Sequence, residues 1–345
     1  MDELETLIFR TDRIGDFIIS CPLIKSYKKK FPKNPITLIS SEYNYIHINK
    51  FEFISKTIPL KGKTKLFPKL IILMKMIIFL RKNTYKDIIV LDGKARSFFI
   101  SFFLKGKKSI LLQSKKLIIL SKILNYLTVI NSEIQSQLKN FSFLANKLGF
   151  KIYNKNPDIY NNSQLPVNFK FQKNYIILHL DEKWFSNLYY SDFTDINPNS
   201  NEIDVFVKKI ADLIDDKFKI ILTTGNKKIK SLVDYISNFE TKDNVIFKKN
   251  INGRSILYLN NITFDQLASL VSNSSLLLCC EGAISHLSNN FNVPTLALYE
   301  KKRIQHTKFW TGHMNKISLI ERKKMKYLLS DQNLFNKITT CLNYI

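Results

Sequence analysis

The 345-residue chain lacks the sequence motifs of several large enzyme and binding classes. It contains neither the Gly-x-Gly-x-x-Gly fingerprint of nicotinamide and flavin enzymes nor the Gly-x-x-x-x-Gly-Lys-Ser/Thr loop of P-loop ATPases. No Gly-x-Ser-x-Gly elbow supports Ser/His/Asp catalysis. Helix-turn-helix, RNP-type and zinc-finger patterns are also missing, so nucleic acid is not predicted to be a partner.

Cysteine is scarce and histidine is scattered, which argues against disulfides and metal sites. The four cysteines have neither metal-ligand spacing nor a disulfide framework, and they fit a reducing cytoplasm: Cys21, Cys279, Cys280 and Cys341. The five histidines form no His-x-x-x-His pair, and no Asp-x-Asp triplet lies at a strand end. No metal and no other cofactor is therefore predicted.

No apolar run is long enough to cross a membrane. The best candidate, residues 66–80, is too short and is interrupted by Lys69 and Lys75. It is predicted to be an amphipathic helix that either lies on a membrane surface or faces the core of a domain. The N-terminus is acidic and enters a strand directly, so a signal peptide is not expected.

Acidic residues are few, with 28 Asp and Glu against 53 Lys and Arg, which gives a net charge of +25. A field of that sign favours anionic partners such as phosphorylated sugars, nucleotide diphosphates, nucleic acid or an anionic lipid surface. Asn and Ile are abundant as well, so compositional drift is a second explanation for part of the lysine excess. The charge indicates the sign of the partner and nothing finer.

Strands and helices alternate in two successive runs. The first begins with a strand at 6–9, a helix at 17–31 and a strand at 36–40, which together form a βαβ unit. The alternation restarts at 175–180, after a linker at 151–172 that is rich in Asn, Pro and Lys.

These two runs predict an α/β protein with two Rossmann-like, doubly wound domains that face each other across a cleft. We expect an N-terminal domain at 1–165 and a C-terminal domain at 173–324. The helical segment at 325–345 is expected to pack back on the N-terminal domain.

The stretch from Leu276 to Tyr299 combines a buried strand, a small polar turn, a short helix that carries His286, and a second buried strand. Ligands of parallel sheets lie beyond the carboxyl ends of the strands, where Glu281 and the following N–H groups are expected. Such N–H groups at a helix N-terminus suit a diphosphate. The alternative interpretation is a polar turn between two core strands.

Two further charged residues follow predicted strands. Asp16 comes directly after Gly15 at the exit of the first strand, where it either acts as general base on a hydroxyl nucleophile or caps the next helix. Lys183 stands beside Trp184 at the exit of the strand at 175–180. It either neutralises a diphosphate leaving group or is one solvated lysine among many.

These motifs together resemble a known family. Residues 10–16 (RTDRIGD), with Pro22 downstream, resemble the N-terminal signature of bacterial heptosyltransferases, glycosyltransferase family nine, which have the GT-B fold. Residues 267–299 are similar to the donor-site block of that family. The Lys183-Trp184 pair stands where the family has a Lys-Trp or Lys-x-Trp element. The three motifs occur in the family's order and cover nearly the whole chain.

The resemblance implies an inverting, metal-independent glycosyltransferase that uses a nucleotide sugar of the ADP-heptose type. Asp16 would be the base that deprotonates the acceptor hydroxyl, and Lys183 the partner of the donor diphosphate. The implied donor-binding residues are Thr224, Gly225, Glu281, Gly282, Ala283 and His286. The implied acceptor-binding residues are Arg10, Arg13, Gly15, Lys94 and Arg96.

The acceptor implied by the resemblance is a phosphorylated glycolipid, either the core of lipopolysaccharide or another surface glycan. The protein is accordingly expected to be cytoplasmic, with peripheral contact to the inner face of the inner membrane. The positive charge suits both the acceptor and such a surface.

The donor turn departs from the family pattern. Many members have Asp, then Ser or Thr, then Gly, where this chain has Glu281-Gly282-Ala283. An alanine at the third position requires either a turn without positive φ or a strained one. Lys227 and Lys228 stand where acidic residues are common, and the loop at 185–201 lacks the family's proline after the tryptophan.

Because of these departures, two alternatives to the transferase stay open. One is a GT-B enzyme of another class, a nucleotide-sugar epimerase or a phosphorylase. The other is a basic peripheral binding protein that has kept the fold and lost turnover.

Overall fold

A computed structural model of the chain describes residues 4–49, 51–62, 66–112, 118–130, 136–160, 174–184, 199–225, 228–241, 246–323 and 325–343. The predicted boundary between 165 and 173, the loop at 185–198 and Lys227 lie outside the described residues. The chain divides into two compact units. One is Met1–Ile159 with Lys308–His313, and the other is Tyr160–Thr307 with Met314–Ile345.

The first unit is built on a six-stranded, all-parallel sheet. Its strand order is β3-β2-β1-β4-β5-β6. The strands are β1 Glu5–Arg10, β2 Ile36–Ser41, β3 Lys56–Leu60, β4 Thr84–Val90, β5 Lys105–Leu112 and β6 Leu127–Ile130. The helices are α1 Ile14–Lys30, α2 Glu42–Ile48, α3 Leu66–Leu80, α4 Ala95–Phe102, α5 Ile118–Ile123 and α6 Gln137–Lys147.

The second unit contains an eight-stranded sheet in the order β14-β13-β12-β7-β8-β11-β10-β9, parallel except for β10 and β9 at one edge. The strands are β7 Tyr175–Leu180, β8 Lys219–Thr224, β9 Glu240–Thr241, β10 Ile246–Ile251, β11 Arg254–Leu259, β12 Leu276–Cys280, β13 Thr295–Tyr299 and β14 Ile317–Glu321. The helices are α7 Ser200–Leu213, α8 Lys230–Ile236, α9 Phe264–Ser272, α10 Ala283–Asn290, α12 Met325–Leu328 and α13 Gln332–Asn343. Helix α11, Ile304–Thr311, begins in this unit and ends in the segment that belongs to the first.

The central strands are apolar along their whole length, as parallel strands covered on both faces are. All five residues of β12 and all six of β7 are buried. The predicted α/β class with parallel, doubly wound sheets is confirmed. Parallel strands of one sheet also end at the same edge, so the residues that follow β7, β8 and β12 come close together.

The C-terminal segment packs into the core of the second unit, which includes Met314–Ile345. Leu334, Phe335 and Ile338 of α13 are buried in the same core as Phe206 of α7 and Ile320 of β14. The physical reason is the apolar face of α13, whose residues recur at helical spacing and cover one side of this sheet.

None of the helices in the described ranges is long and apolar enough to cross a membrane.

Candidate active site

Arg10, the last residue of β1, holds together the polar turn at the exit of that strand. Its guanidinium donates through Nε and Nη2 to the carbonyl oxygen of Asp16, at 3.0 and 2.7 Å, and through Nη1 to the carbonyl oxygen of Leu91, at 2.8 Å. Nη1 also pairs with Asp12 Oδ2 at 3.1 Å. Only 1% of the residue is exposed. Arg10 therefore ties the first turn of α1 to the exit of β4.

Asp16 lies in that first turn of α1, partly exposed. Its Oδ2 accepts a hydrogen bond from the backbone N–H of Arg13 at 3.1 Å, so it closes the start of the helix. Burial raises the pKa of Asp16, and the Asp12 carboxylate adds to this, whereas Arg10 and the Arg13 N–H lower it. A carboxylate with a raised pKa is the better proton acceptor. The cap and the base are thus compatible roles for one side chain.

A second polar cluster joins the exits of β1 and β4. Thr11 donates its N–H and its hydroxyl to Asp92 Oδ2, at 3.3 and 2.5 Å. Arg96 Nη2 donates to Thr11 Oγ1 at 2.9 Å, and Lys94 Nζ donates to the Thr11 carbonyl oxygen at 3.0 Å. Lys94 also pairs with Asp12. Lys94 and Arg96, two of the cations predicted to bind the acceptor, therefore lie beside the turn that leads to Asp16.

The other predicted acceptor residues of this unit differ in exposure. Arg13 is exposed and precedes α1, whereas Gly15 is buried within the first turn of that helix. Gly15 is not among the glycines with positive φ, so its special backbone freedom is not used there.

In the second unit, Lys183 is fixed at both ends. It lies in a short 3-10 helix, Glu182–Trp184, and its N–H donates to Asp181 Oδ1 at 3.1 Å. The Nζ of Lys183 donates to the carbonyl oxygen of Glu281. Arg322 Nη1 donates to the carbonyl oxygen of Lys183. Trp184 is buried beside it. This geometry differs from that of a solvated surface lysine, because the ammonium group is held at the exit of β12.

The turn after β12 is shaped around that ammonium group. Gly282 is extended, with φ 167°, and a Cβ built on it would collide with Lys183 Nζ. Ala283 is the first residue of α10, and neither residue has a left-handed backbone. The alanine in place of the family's glycine is therefore accommodated by a turn that avoids positive φ, without strain.

His286, on the first turn of α10, lies close to Glu281 in the turn that precedes this helix. The buried His286 ring places Nε2 at 3.9 Å from Glu281 Oε1, and the Glu281 side chain is partly exposed. Ser285 Oγ accepts from the Gly282 N–H at 3.2 Å. The turn thus presents an acid, an imidazole and helix N–H groups at one place.

Thr224 and Gly225, at the exit of β8, line a pocket of about 630 Å³. Other residues of this pocket are Ile229, Tyr258, Asn260 and Ile262. A Cβ on Gly225 would lie 2.9 Å from Glu182 Oε2 and 3.2 Å from Asp181 Cβ. Only a glycine lets the exits of β7 and β8 approach so closely.

Three charged residues of this site escaped the sequence-based prediction. Two of the three are Glu300 and Arg322, which line one small pocket together with Lys183 and Glu281. The third, Asp181, is buried, and burial raises its pKa to about 7, although Lys183 lowers it. Asp181 follows β7 directly, so strand-end position would have identified it. Arg322 follows β14 and has no local signature.

Within the described residues, no group of three or more His, Cys, Asp or Glu side chains is arranged to hold a metal ion.

Residues 209–337 match the family model of Glycosyltransferase family 9 (heptosyltransferase). This part of the chain is similar to the domain that the family shares. The resemblance inferred from the sequence motifs is confirmed, and so is the prediction that the protein is a glycosyltransferase. The matched region contains every predicted donor-binding residue, whereas Asp16 and Lys183 lie outside it.

Solved structures show the fold. E. coli heptosyltransferase WaaC with ADP is 13% identical, with TM-score 0.69 over 97% of this chain and 100% of that one. E. coli ADP-heptose lps heptosyltransferase II is 12% identical, with TM-score 0.64 over 99% of each chain. The UDP-GlcNAc 2-epimerase of Methanocaldococcus jannaschii is 12% identical, with TM-score 0.54 over 99% of this chain and 100% of that one.

These likenesses confirm the GT-B fold and, at such identities, nothing beyond it. The fold is common to transferases and epimerases, so the choice between these activities rests on the family domain and on the site. None of the curated proteins compared with the chain matches it significantly.

The buried contacts of Arg10 yield a first prediction. Arg10→Lys keeps the charge but loses the planar fork that serves the Asp16 and Leu91 carbonyl oxygens, so we expect the free energy of unfolding to fall by about 1–3 kcal/mol. Denaturant unfolding measures the change. The matched control is Arg13→Lys at the exposed neighbouring position, which should change stability by less than about 0.5 kcal/mol. Equal stability of both variants would refute the structural role of Arg10.

Proposed function

We propose that the protein is an inverting, metal-independent transferase that moves a heptose-like sugar from a nucleotide sugar of the ADP-heptose type to a phosphorylated glycolipid. The observation that carries the proposal is the contact between Lys183 and the Glu281 turn of the family 9 domain. It sets a cation beside the N–H groups of α10, where a diphosphate would bind.

Positive charge and space support a nucleoside diphosphate at this site. Lys183 and Arg322 line the same small pocket, and both can neutralise phosphate oxygens. The pocket beside Thr224 and Gly225 is of a size that takes a nucleoside. E. coli heptosyltransferase WaaC has been solved with ADP and with ADP-2-deoxy-2-fluoro heptose, which favours an ADP sugar here.

In the first unit, Arg13, Lys94 and Arg96 offer positive charge to a phosphorylated acceptor. We assign Arg10 a positioning role, because its guanidinium is buried and bonded to main-chain carbonyl groups. Asp16 takes the proton of the acceptor hydroxyl.

The reaction is then a single displacement. The acceptor oxygen attacks the anomeric carbon as its proton passes to Asp16, and the bond from that carbon to the diphosphate breaks. The nucleoside diphosphate leaves with its new negative charge stabilised by Lys183 and Arg322. Attack opposite the leaving group inverts the anomeric configuration, and side-chain cations replace a metal. A lipid-borne acceptor would place the protein in the cytoplasm, at the inner face of the inner membrane.

Asp16→Asn tests the base. An amide oxygen still accepts the Arg13 N–H, so the helix cap and the stability are preserved, whereas proton removal is lost. We expect kcat to fall about 10²- to 10⁴-fold, with donor affinity unchanged by calorimetry. The matched control is Asp158→Asn at an exposed position of the same unit. Transfer near the wild-type rate would exclude Asp16 as base.

The pH profile gives a second readout of the same variant. The base is the carboxylate, so the rate falls as pH drops through the Asp16 pKa, which burial raises above the usual 3.8. We expect this acid limb in the wild-type protein and in Asp158→Asn, and its loss in the residual activity of Asp16→Asn.

Gly282→Ala tests the placement of Lys183. The new methyl group meets only the mobile end of the lysine, so the fold should persist while the ammonium group is displaced from the Glu281 carbonyl oxygen. We expect at least an approximately tenfold loss of kcat/KM. The control is a double-mutant cycle, because in a Lys183→Ala background the same substitution should add little. Additive losses would show that Gly282 acts independently of Lys183.

The donor is tested by calorimetry with ADP-, UDP- and GDP-sugars, followed by assays with and without acceptor. Micromolar binding of an ADP sugar, with turnover only when an acceptor is present, is the expected result. Turnover of the nucleotide sugar without acceptor would identify an epimerase or phosphorylase instead. If no nucleotide binds, the transferase proposal fails and a binding protein without turnover is favoured.

A further inference from the structure

The positive charge of the chain is concentrated in one segment of the first unit. Residues 56–130 contain 17 Lys and Arg but only two acidic residues, so this segment carries a formal +15 of the total +25. Both acids, Asp87 and Asp92, are buried. The surface that this segment contributes is therefore basic, because the segment itself adds no exposed carboxylate.

Helix α3 in this segment has two apolar sides. One side buries Leu73, Ile77 and Leu80 in a core shared with the sheet. The other side leaves large apolar residues exposed, among them Phe67 at 74% and Ile78 at 61%. Its exposed residues recur at helical spacing: Phe67, Leu70, Ile71, Met74, Ile78 and Phe79. Helix α3 thus satisfies the core and still presents a second apolar stripe.

The exposed apolar surface continues on α4 and α5. These helices bury Phe98 and Ile100, and partly Ile118, in the same core as α3, so the three helices cover one face of the sheet. On their exposed sides lie Phe99, Phe102, Phe103, Ile119 and Ile123. Phe103 packs edge-on against both Phe99 and Phe102, with ring centroids 5.1 and 5.0 Å apart.

Cations border this apolar surface directly. Lys56 Nζ lies 5.5 Å from the centroid of the Phe79 ring. Exposed cations also lie on α3 and α5, in the turn that follows α3 and at the start of β5: Lys75, Lys122, Arg81, Lys82 and Lys105. Apolar side chains that insert and lysines that surround them are the pattern of a surface that lies on an anionic bilayer.

We propose that this basic apolar face, formed by the exposed residues of α3, α4 and α5, docks on an anionic lipid bilayer. A monomeric soluble protein rarely exposes so many large apolar residues on one side without using them. The inference rests on the proposed function in one respect: α4 begins beside Lys94 and contains Arg96, so a docked face would bring the acceptor residues to the lipid headgroups.

The positive charge of the face favours an anionic bilayer over a second copy of the chain as its binding partner. A second copy of the chain would bring together two faces that each belong to a segment of formal charge +15, which is repulsive. A bilayer of anionic lipids supplies both the negative charge and an apolar layer that receives Phe67, Ile78 and Phe79.

The test is co-sedimentation of the full chain with vesicles, without donor or acceptor. Vesicles of phosphatidylglycerol and phosphatidylethanolamine should bind the protein, and phosphatidylcholine vesicles should bind it weakly. High salt should weaken the binding to the anionic vesicles because it screens the lysines. The combined variant Phe67→Ser, Ile78→Ser, Phe79→Ser should bind anionic vesicles at least about tenfold more weakly than the wild type.

A second combined variant, Lys75→Gln, Arg81→Gln, Lys82→Gln, removes charge only. These three residues are exposed and contribute nothing to the core. Each substitution in it should weaken binding by about fivefold at low salt. The matched control is Val205→Ser with Leu213→Ser, which removes exposed apolar side chains from α7 of the other unit. It should bind as the wild type does.

Three results would overturn the proposal. These are unchanged vesicle binding by both test variants, equal binding to phosphatidylcholine, and a dimer of the wild-type protein that both variants dissociate. The last would identify a second copy as the occupant. Because binding is measured without substrates, a protein that docks but does not transfer sugar would refute the proposed reaction and leave the docking face intact.

Discussion

The contact between the Lys183 ammonium group and the Glu281 carbonyl oxygen fixes the geometry of the second unit's site. The two residues are far apart in sequence, and they meet because β7 lies between β12 and β8 in the sheet. The same adjacency brings Gly225 against Asp181 and Glu182. Two glycines are needed there. Gly282 leaves room for the Lys183 ammonium group, and Gly225 lets the exits of β7 and β8 meet.

In the first unit, too, a cation from one strand exit bonds to the main chain at a neighbouring exit. Here β1 lies beside β4, and the buried Arg10 donates to the carbonyl oxygen of Leu91. A guanidinium group so deeply buried must have its donors satisfied, since a lost partner would leave an uncompensated polar group. Arg10 therefore fixes the backbone of Asp16, while the carboxylate of Asp16 remains partly exposed, as the proposed base requires.

The fold was predictable because buried parallel strands have a simple sequence pattern. The apolar runs at β1, β7 and β12 and the polar residues after each are visible in the sequence, and these exits carry Asp16, Lys183 and Glu281. Elements and strand ends without such a run were missed. Helix α2 contains Tyr43 and Ile46 on its exposed side, so it lacks the period of a buried helix face. The apolar run at 109–112 predicts the end of β5, whereas its lysine-rich start has no such signal.

Contacts between distant elements were not predictable from local pattern. Arg322 joins the site because β14 lies at the end of the row β12-β13-β14, which is a property of the sheet and not of its neighbours in sequence. The apolar stripe of α13 indicated that the helix is buried but not in which unit. Periodicity identifies a buried face, whereas the partner of that face depends on the complete set of elements.

The distribution of charge decides between two explanations of the lysine excess. Compositional drift would add lysine throughout the chain and would not remove carboxylates from one layer of helices. Between 56 and 130, however, the only acids are Asp87 and Asp92, and each is used internally: Asp87 accepts the Tyr27 hydroxyl at 2.5 Å, and Asp92 accepts Thr11 and Ser97. The absence of surface carboxylates coincides with the exposed stripe of α3. Drift does not account for that coincidence, whereas the proposed docking on an anionic surface accounts for both features.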